Sequence, residues 1–89
     1  MTSRTTARFR AALAALPEPI RLRAKRAYEL FRENPQHPGL RFKQVHSTRP
    51  IFSVRIGSGY RALAVREGDD LVWFWIGTHD DYEALLTRL

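Results

Sequence analysis

The chain has 89 residues, 44% of them hydrophobic, with a formal net charge of +6 and no cysteine. That length gives one domain over residues 1–89, and such a domain buries only about two-thirds of its surface. Disulfides and thiolate metal sites are excluded, and no apolar run reaches the roughly 18 residues that span a bilayer. Arg4, Arg8 and Arg10 interrupt any secretory pattern, so no membrane role and a cytoplasmic location are expected.

Met1 to Thr6 is polar, and Thr2, Thr5 and Thr6 suit a short edge strand. Thr6 is also a reasonable N-cap for the helical pattern that starts at Ala7. Phe9, Leu13 and Leu16 recur at helical spacing with Ala12 on the same stripe, and Pro17 ends the run. A second helix begins near Pro19, where proline suits the first turn. Its stripe is Ile20, Ala24, Ala27 and Phe31, with Tyr28 beside it and Arg21, Arg23, Lys25, Arg26 and Arg32 mostly outside. It stops at Asn34-Pro35. So short a link predicts an antiparallel helical hairpin.

After a loop at Pro35 to Gly39, residues Leu40 to Val45 alternate and read as a first clear strand. A polar link, His46 to Pro50, leads to three β-runs: Ile51 to Ile56, Tyr60 to Arg66 and Leu71 to His79. Gly57-Ser58-Gly59 and Glu67-Gly68-Asp69-Asp70 mark the two turns between them. Asp80 to Leu89 reads as a closing helical turn or two, with acids where the helix dipole favours them. Tyr82, Leu85, Leu86 and Leu89 can fold back on the sheet. The fold class is therefore α+β: an N-terminal helical hairpin on one face of a three- to four-stranded antiparallel sheet, with a short C-terminal helix. Strict alternation on the last strand places Val72, Phe74 and Ile76 toward the hairpin and Trp73, Trp75, Gly77 and His79 on the opposite face.

Charge is unevenly spread. Residues 1–66 carry a net +11 and residues 67–89 a net −5. A basic body of this kind fits an anionic partner, nucleic acid above all, and an acidic protein next. The plainer alternative is a solvated basic surface.

The order of elements resembles the RelE/ParE superfamily of toxins from bacterial type II toxin–antitoxin systems. The likeness covers nearly the whole chain and is carried by Arg32-Glu33-Asn34-Pro35 at the end of the hairpin, by Tyr60-Arg61 at a strand start, and by the terminal Ile76-Gly77-Thr78-His79. It implies a small toxin restrained by a cognate antitoxin, as a homodimer or a toxin–antitoxin hetero-oligomer. Some members are ribosome-dependent endoribonucleases that cut mRNA, and others poison DNA gyrase. The resemblance puts Arg61 where RNA-cleaving members hold phosphate, Arg55 on a strand that bears basic residues (with Ser53 in place of a second), and His79 where a catalytic His or Arg follows the last strand. Tyr82 stands for a C-terminal aromatic.

Metal-free RNA cleavage needs a base for the 2′-hydroxyl, an acid for the departing oxygen, and cations for the charge on phosphorus. Histidine suits either proton role and the arginine fork suits phosphate. His79 and Arg61 are thus the catalytic candidates, with Arg55, Lys43, Tyr82, Trp75 and His46 as substrate-binding candidates. Several have a structural alternative. His79 can sit solvated at the last helix, Arg61 can pair with Glu67 or Asp69, and Trp73 and Trp75 favour packing over base stacking. The histidines at 37, 46 and 79 lack metal-ligand spacing, so no metal and no cofactor are expected.

Overall fold

A computed structural model describes residues 2–89. Its elements are β1 (Thr2–Thr5), α1 (Ala7–Ala14), α2 (Glu18–Glu33), a single 3₁₀ turn (Pro38–Leu40), β2 (Lys43–Gln44), β3 (Ile51–Ile56), β4 (Tyr60–Glu67), β5 (Asp70–Thr78) and α3 (His79–Leu86). The five strands form one sheet in the order β1-β5-β4-β3-β2. β1 runs parallel to β5, and the other neighbours are antiparallel. The α+β class stands, with a sheet that is larger than expected and mixed. The polar edge strand is real, and it reaches the far side of the sheet by pairing parallel with the last long strand.

Thr6 caps α1 as its residue type predicts: its hydroxyl accepts the Phe9 N–H at 3.0 Å. Thr6→Ala should therefore lower stability by about 1 kcal/mol, visible as a fall of about 4–8 °C in the thermal midpoint of a domain this size. α2 opens on Pro17-Glu18-Pro19 and ends at Asn34, whose extended backbone obeys the following proline. The link between the helices is short, but α1 packs on β5 while α2 packs on β3. The hairpin is consequently splayed, and an apolar groove of about 340 Å³ runs between it and the sheet.

The strand expected over Leu40 to Val45 shrinks to Lys43–Gln44. Leu40 belongs instead to the 3₁₀ turn and is buried, and Arg41 after it takes a left-handed backbone, φ 49°. Pro38-Gly39 favours the turn over an extended start. The two hairpin loops behave as their glycines suggest, since Gly57 and Gly68 both have φ near 62°, which costs glycine little.

Two apolar clusters lie on opposite faces of the sheet. The larger joins Phe9, Phe31, Leu40, Val54, Ile56, Ala62, Ala64, Leu71, Trp73 and Ile76 beneath α1 and α2. The smaller joins Ile51, Leu63 and Tyr82, with Phe74, Trp75, Leu85 and Leu86 packed against it under α3. Trp73 is thus on the hairpin side, edge-on to Phe31 at 5.7 Å, and Phe74 is on the other. This corrects the expected alternation. A register shift lies between Leu63 and Ala64, with Leu63 opposite Trp75 but Ala64 opposite Trp73. Phe74 is the extra residue of a bulge, and such a residue reverses the facing of everything before it. Ile76 and Trp75, beyond the bulge, face as expected.

Candidate functional site

The register of the three long strands builds one face. Lys43 pairs with Ser53, Ser53 with Leu63 and Leu63 with Trp75; one step along, Arg55 pairs with Arg61 and Arg61 with Gly77. Residues directly opposite in a sheet share a face, so Lys43, Arg55 and Arg61 all project away from the α1–α2 pair. α3 crosses this face. Thr78 starts it by accepting the Asp81 N–H at 3.1 Å, and the His79 N–H donates to the Gly59 carbonyl at 2.9 Å. These two bonds fix His79 as the first residue of the helix, beside the β3–β4 turn. Asp80 and Asp81 then occupy the first turn, where acids offset the helix dipole.

Between α3 and the strands lies a cleft of about 400 Å³ lined by polar side chains, among them Arg41, Lys43, Arg61, His79 and Glu83. Its floor is Tyr82, only 5% exposed, whose hydroxyl donates to the buried Ser53 hydroxyl at 3.4 Å. The Arg61 guanidinium lies 5.9 Å from the centre of the Tyr82 ring. Its Nη1 donates to the Tyr60 carbonyl at 3.0 Å. Among the described residues no carboxylate forms an ion pair with it. Glu67 and Asp70 pair with Arg4 instead.

Burial pushes the Arg61 pKa below the usual arginine value, and Arg55 and Arg41 add to the depression, while Tyr82 and Glu83 oppose it. Two arginines directly opposite each other on adjacent strands destabilise the sheet. A partly desolvated cation with like-charged neighbours is a suitable place for an anionic ligand.

His79 is half-exposed, with Nε2 3.4 Å from Glu83 Oε1 and its ring 5.8 Å from that of Tyr82. A titratable imidazole therefore stands at the rim of a cleft that Arg41, Lys43 and Arg61 also line. No group of three or more His, Cys, Asp or Glu that could hold a metal forms among the described residues. No helix among them is long and apolar enough to cross a membrane.

The structure brings His79, Arg61, Lys43 and Tyr82 together. Tyr82 serves as a buried floor. Arg55 shares the face, but its Nε is turned to the Gly57 carbonyl at 2.9 Å and it does not line the cleft. Trp75 lies outside the cleft lining, and its ring covers Gly77, where an added Cβ would meet it at 2.7 Å. His46 is outside as well. Its Nδ1 accepts the Thr48 and Arg49 N–H groups at 3.2 and 3.0 Å, so Nε2 carries the hydrogen and donates to the Leu89 carbonyl at 3.0 Å. It ties the β2–β3 loop to the chain after α3.

Arg41 and Glu83 were missed. Arg41 lies in a segment whose alternation reads as a strand, and Glu83 becomes a helical neighbour of His79 only because the helix starts at His79.

The family model of the ParE-like toxin domain matches residues 18–84. Three solved structures share the fold. A chain of the RelB–RelE antitoxin–toxin complex from Methanococcus jannaschii is 18% identical, with TM-score 0.72 and coverage of 92% of this chain and 96% of that one. YafQ of E. coli strain BL21(DE3) is 10% identical, with TM-score 0.72 and coverage of 90% and 94%. The isolated E. coli RelE toxin is 15% identical, with TM-score 0.67 and coverage of 99% and 98%. No protein of curated function matches the chain significantly by sequence. The family match spans most of the chain, from the start of α2 through the cleft-forming α3, and with the shared architecture it establishes that the protein belongs to the RelE/ParE superfamily of toxins from toxin–antitoxin systems.

Proposed function

We propose that the protein is a metal-independent endoribonuclease that cuts mRNA on the ribosome in the cytoplasm until a cognate antitoxin covers it. One observation carries this reading: an arginine without a carboxylate partner, Arg61, and a proton carrier, His79, line one cleft with Arg41 and Lys43. Arg61 holds the phosphate by its fork, and Arg41 and Lys43 add charge around it. The 2′-oxygen attacks phosphorus, its proton passes to His79, and the bond to the 5′-oxygen breaks with water protonating the leaving group. The products are a 2′,3′-cyclic phosphate and a 5′-hydroxyl end, and the imidazolium returns its proton to solvent.

For the antitoxin, the support is the RelB–RelE complex of similar fold. The groove between hairpin and sheet offers it a surface, since Arg4, Arg21 and Lys25 line a largely apolar channel.

The test is primer extension on translated messages after induction. The wild-type chain should produce cuts and growth arrest. His79→Ala should slow cutting at least 100-fold, the lower end for loss of a positioned proton carrier, without moving the thermal midpoint. Undiminished cutting by His79→Ala removes the histidine from the mechanism.

The turned-back Arg55 favours a second reading, a non-enzymatic inhibitor of DNA gyrase, because it takes one cation out of the phosphate cleft. In that case induction would raise DNA-damage signalling and leave messages intact.

A further inference from the structure

We propose that Glu83 is a positioning residue that holds His79 in one tautomer, with the hydrogen on Nε2, so that Nδ1 is the nitrogen that meets the RNA. The inference rests on the nuclease reading of the cleft.

His79 and Glu83 stand one turn apart on α3, and Nε2 lies 3.4 Å from Oε1. The helix presents such a pair on one side, the backbone being fixed at its start by Thr78 and the Gly59 carbonyl. Glu83 is the only carboxylate among the side chains that line the cleft.

An ionised carboxylate only accepts hydrogen bonds, so the nitrogen facing it is the one that carries hydrogen. A neutral imidazole then has its lone pair on Nδ1. When Nδ1 takes the proton of the 2′-hydroxyl, the ring becomes a cation with Glu83 already beside it.

Geometry keeps Glu83 itself out of the opposite proton role. The attacking and departing oxygens lie roughly in line across phosphorus. Two groups 3.4 Å apart on one helix face reach one side of it. Glu83 therefore acts through His79, in the way a third group orients the base of a nucleophilic triad.

Two measurements on the full chain test this. Nitrogen chemical shifts of the His79 ring report the tautomer, and single-turnover cleavage of a defined message on programmed ribosomes reports chemistry apart from binding. The wild-type ring should be the Nε2–H form. Glu83→Ala should give mixed tautomers and cut about tenfold more slowly with KM unchanged, a part of the 100- to 10,000-fold that a positioned proton carrier contributes. Glu83→Gln keeps an acceptor oxygen and should restore the single tautomer and most of the rate.

A wild-type ring in the Nδ1–H form, or a Glu83→Ala protein with unaltered shifts and rate, overturns the proposal. A Glu83-dependent tautomer in a wild-type protein that cuts no message would instead remove the nuclease reading, and with it any catalytic part for Glu83.

Discussion

Replacing Arg61 with alanine should lower message cleavage about 100- to 1,000-fold, the range for removing one charge-stabilising donor from an active site, while the thermal midpoint stays level or rises. Both halves follow from the same geometry. Arg61 has a backbone carbonyl and the face of Tyr82 as partners, but no carboxylate among the described residues, and burial already depresses its pKa. It faces Arg55 directly across β3 and β4. Removing it relieves a like-charge contact and a desolvation cost, and takes away the group best shaped to hold phosphate. Arg61→Lys should fall between, because a point charge keeps attraction but loses the bidentate fork. Single-turnover cleavage and a thermal melt on the same preparations check the prediction. A large drop in midpoint would reassign Arg61 to structure.

Phe31→Ala should have the largest effect on stability, about 3–5 kcal/mol. Phe31 is 4% exposed on the sheet side of α2. It stands edge-on to Phe42 at 5.0 Å and to Trp73 at 5.7 Å, so its ring joins the helix to the segment after the 3₁₀ turn and to β5. The groove beside it is already open, and truncation would enlarge that space where little can collapse into it. At about 4–8 °C per kcal/mol for a domain of this size, the midpoint should fall by more than 10 °C. Denaturant unfolding gives the same quantity independently. A loss below about 1 kcal/mol would mean that this part of the core is not the one holding α2 to the sheet.

What the sequence made readable had local causes. The cap at Thr6, the prolines bounding α2, the glycine turns and the long apolar strands each depend on residues within a few positions. The N-terminal strand was visible only as a threonine-rich edge, because its partner, β5, lies some 68 positions along the chain in the observed register. Two other features escaped for stated reasons. The bulge at Phe74 comes from the pairing of two strands, and nothing in Trp73-Phe74-Trp75 announces it, so strict alternation put Trp73 on the wrong face. Leu40 alternates with its neighbours as a strand would, yet Pro38-Gly39 starts a turn that buries it and directs Arg41 to the cleft. In the candidate cleft, His79 stood out as a titratable ring where an apolar strand ends, while Arg61 was singled out by the family resemblance. The relation of His79 to Glu83 needed the observed helix start, one residue earlier than the acids alone suggest.

The same distinction explains His46. Histidine in a polar loop reads as a candidate proton carrier. Its ring is instead occupied on both nitrogens by backbone groups, which makes it a tie between the β2–β3 loop and the chain beyond α3.

On the proposed reading, this cleft breaks RNA by internal attack of the 2′-hydroxyl. The most direct measurement is the chemistry of the new ends after the purified protein meets ribosomes translating a defined message. The wild-type reaction should leave 5′-hydroxyl and 2′,3′-cyclic phosphate ends, and Arg61→Ala should leave almost none. An intact message, or ends bearing a 5′-phosphate, would contradict that reading.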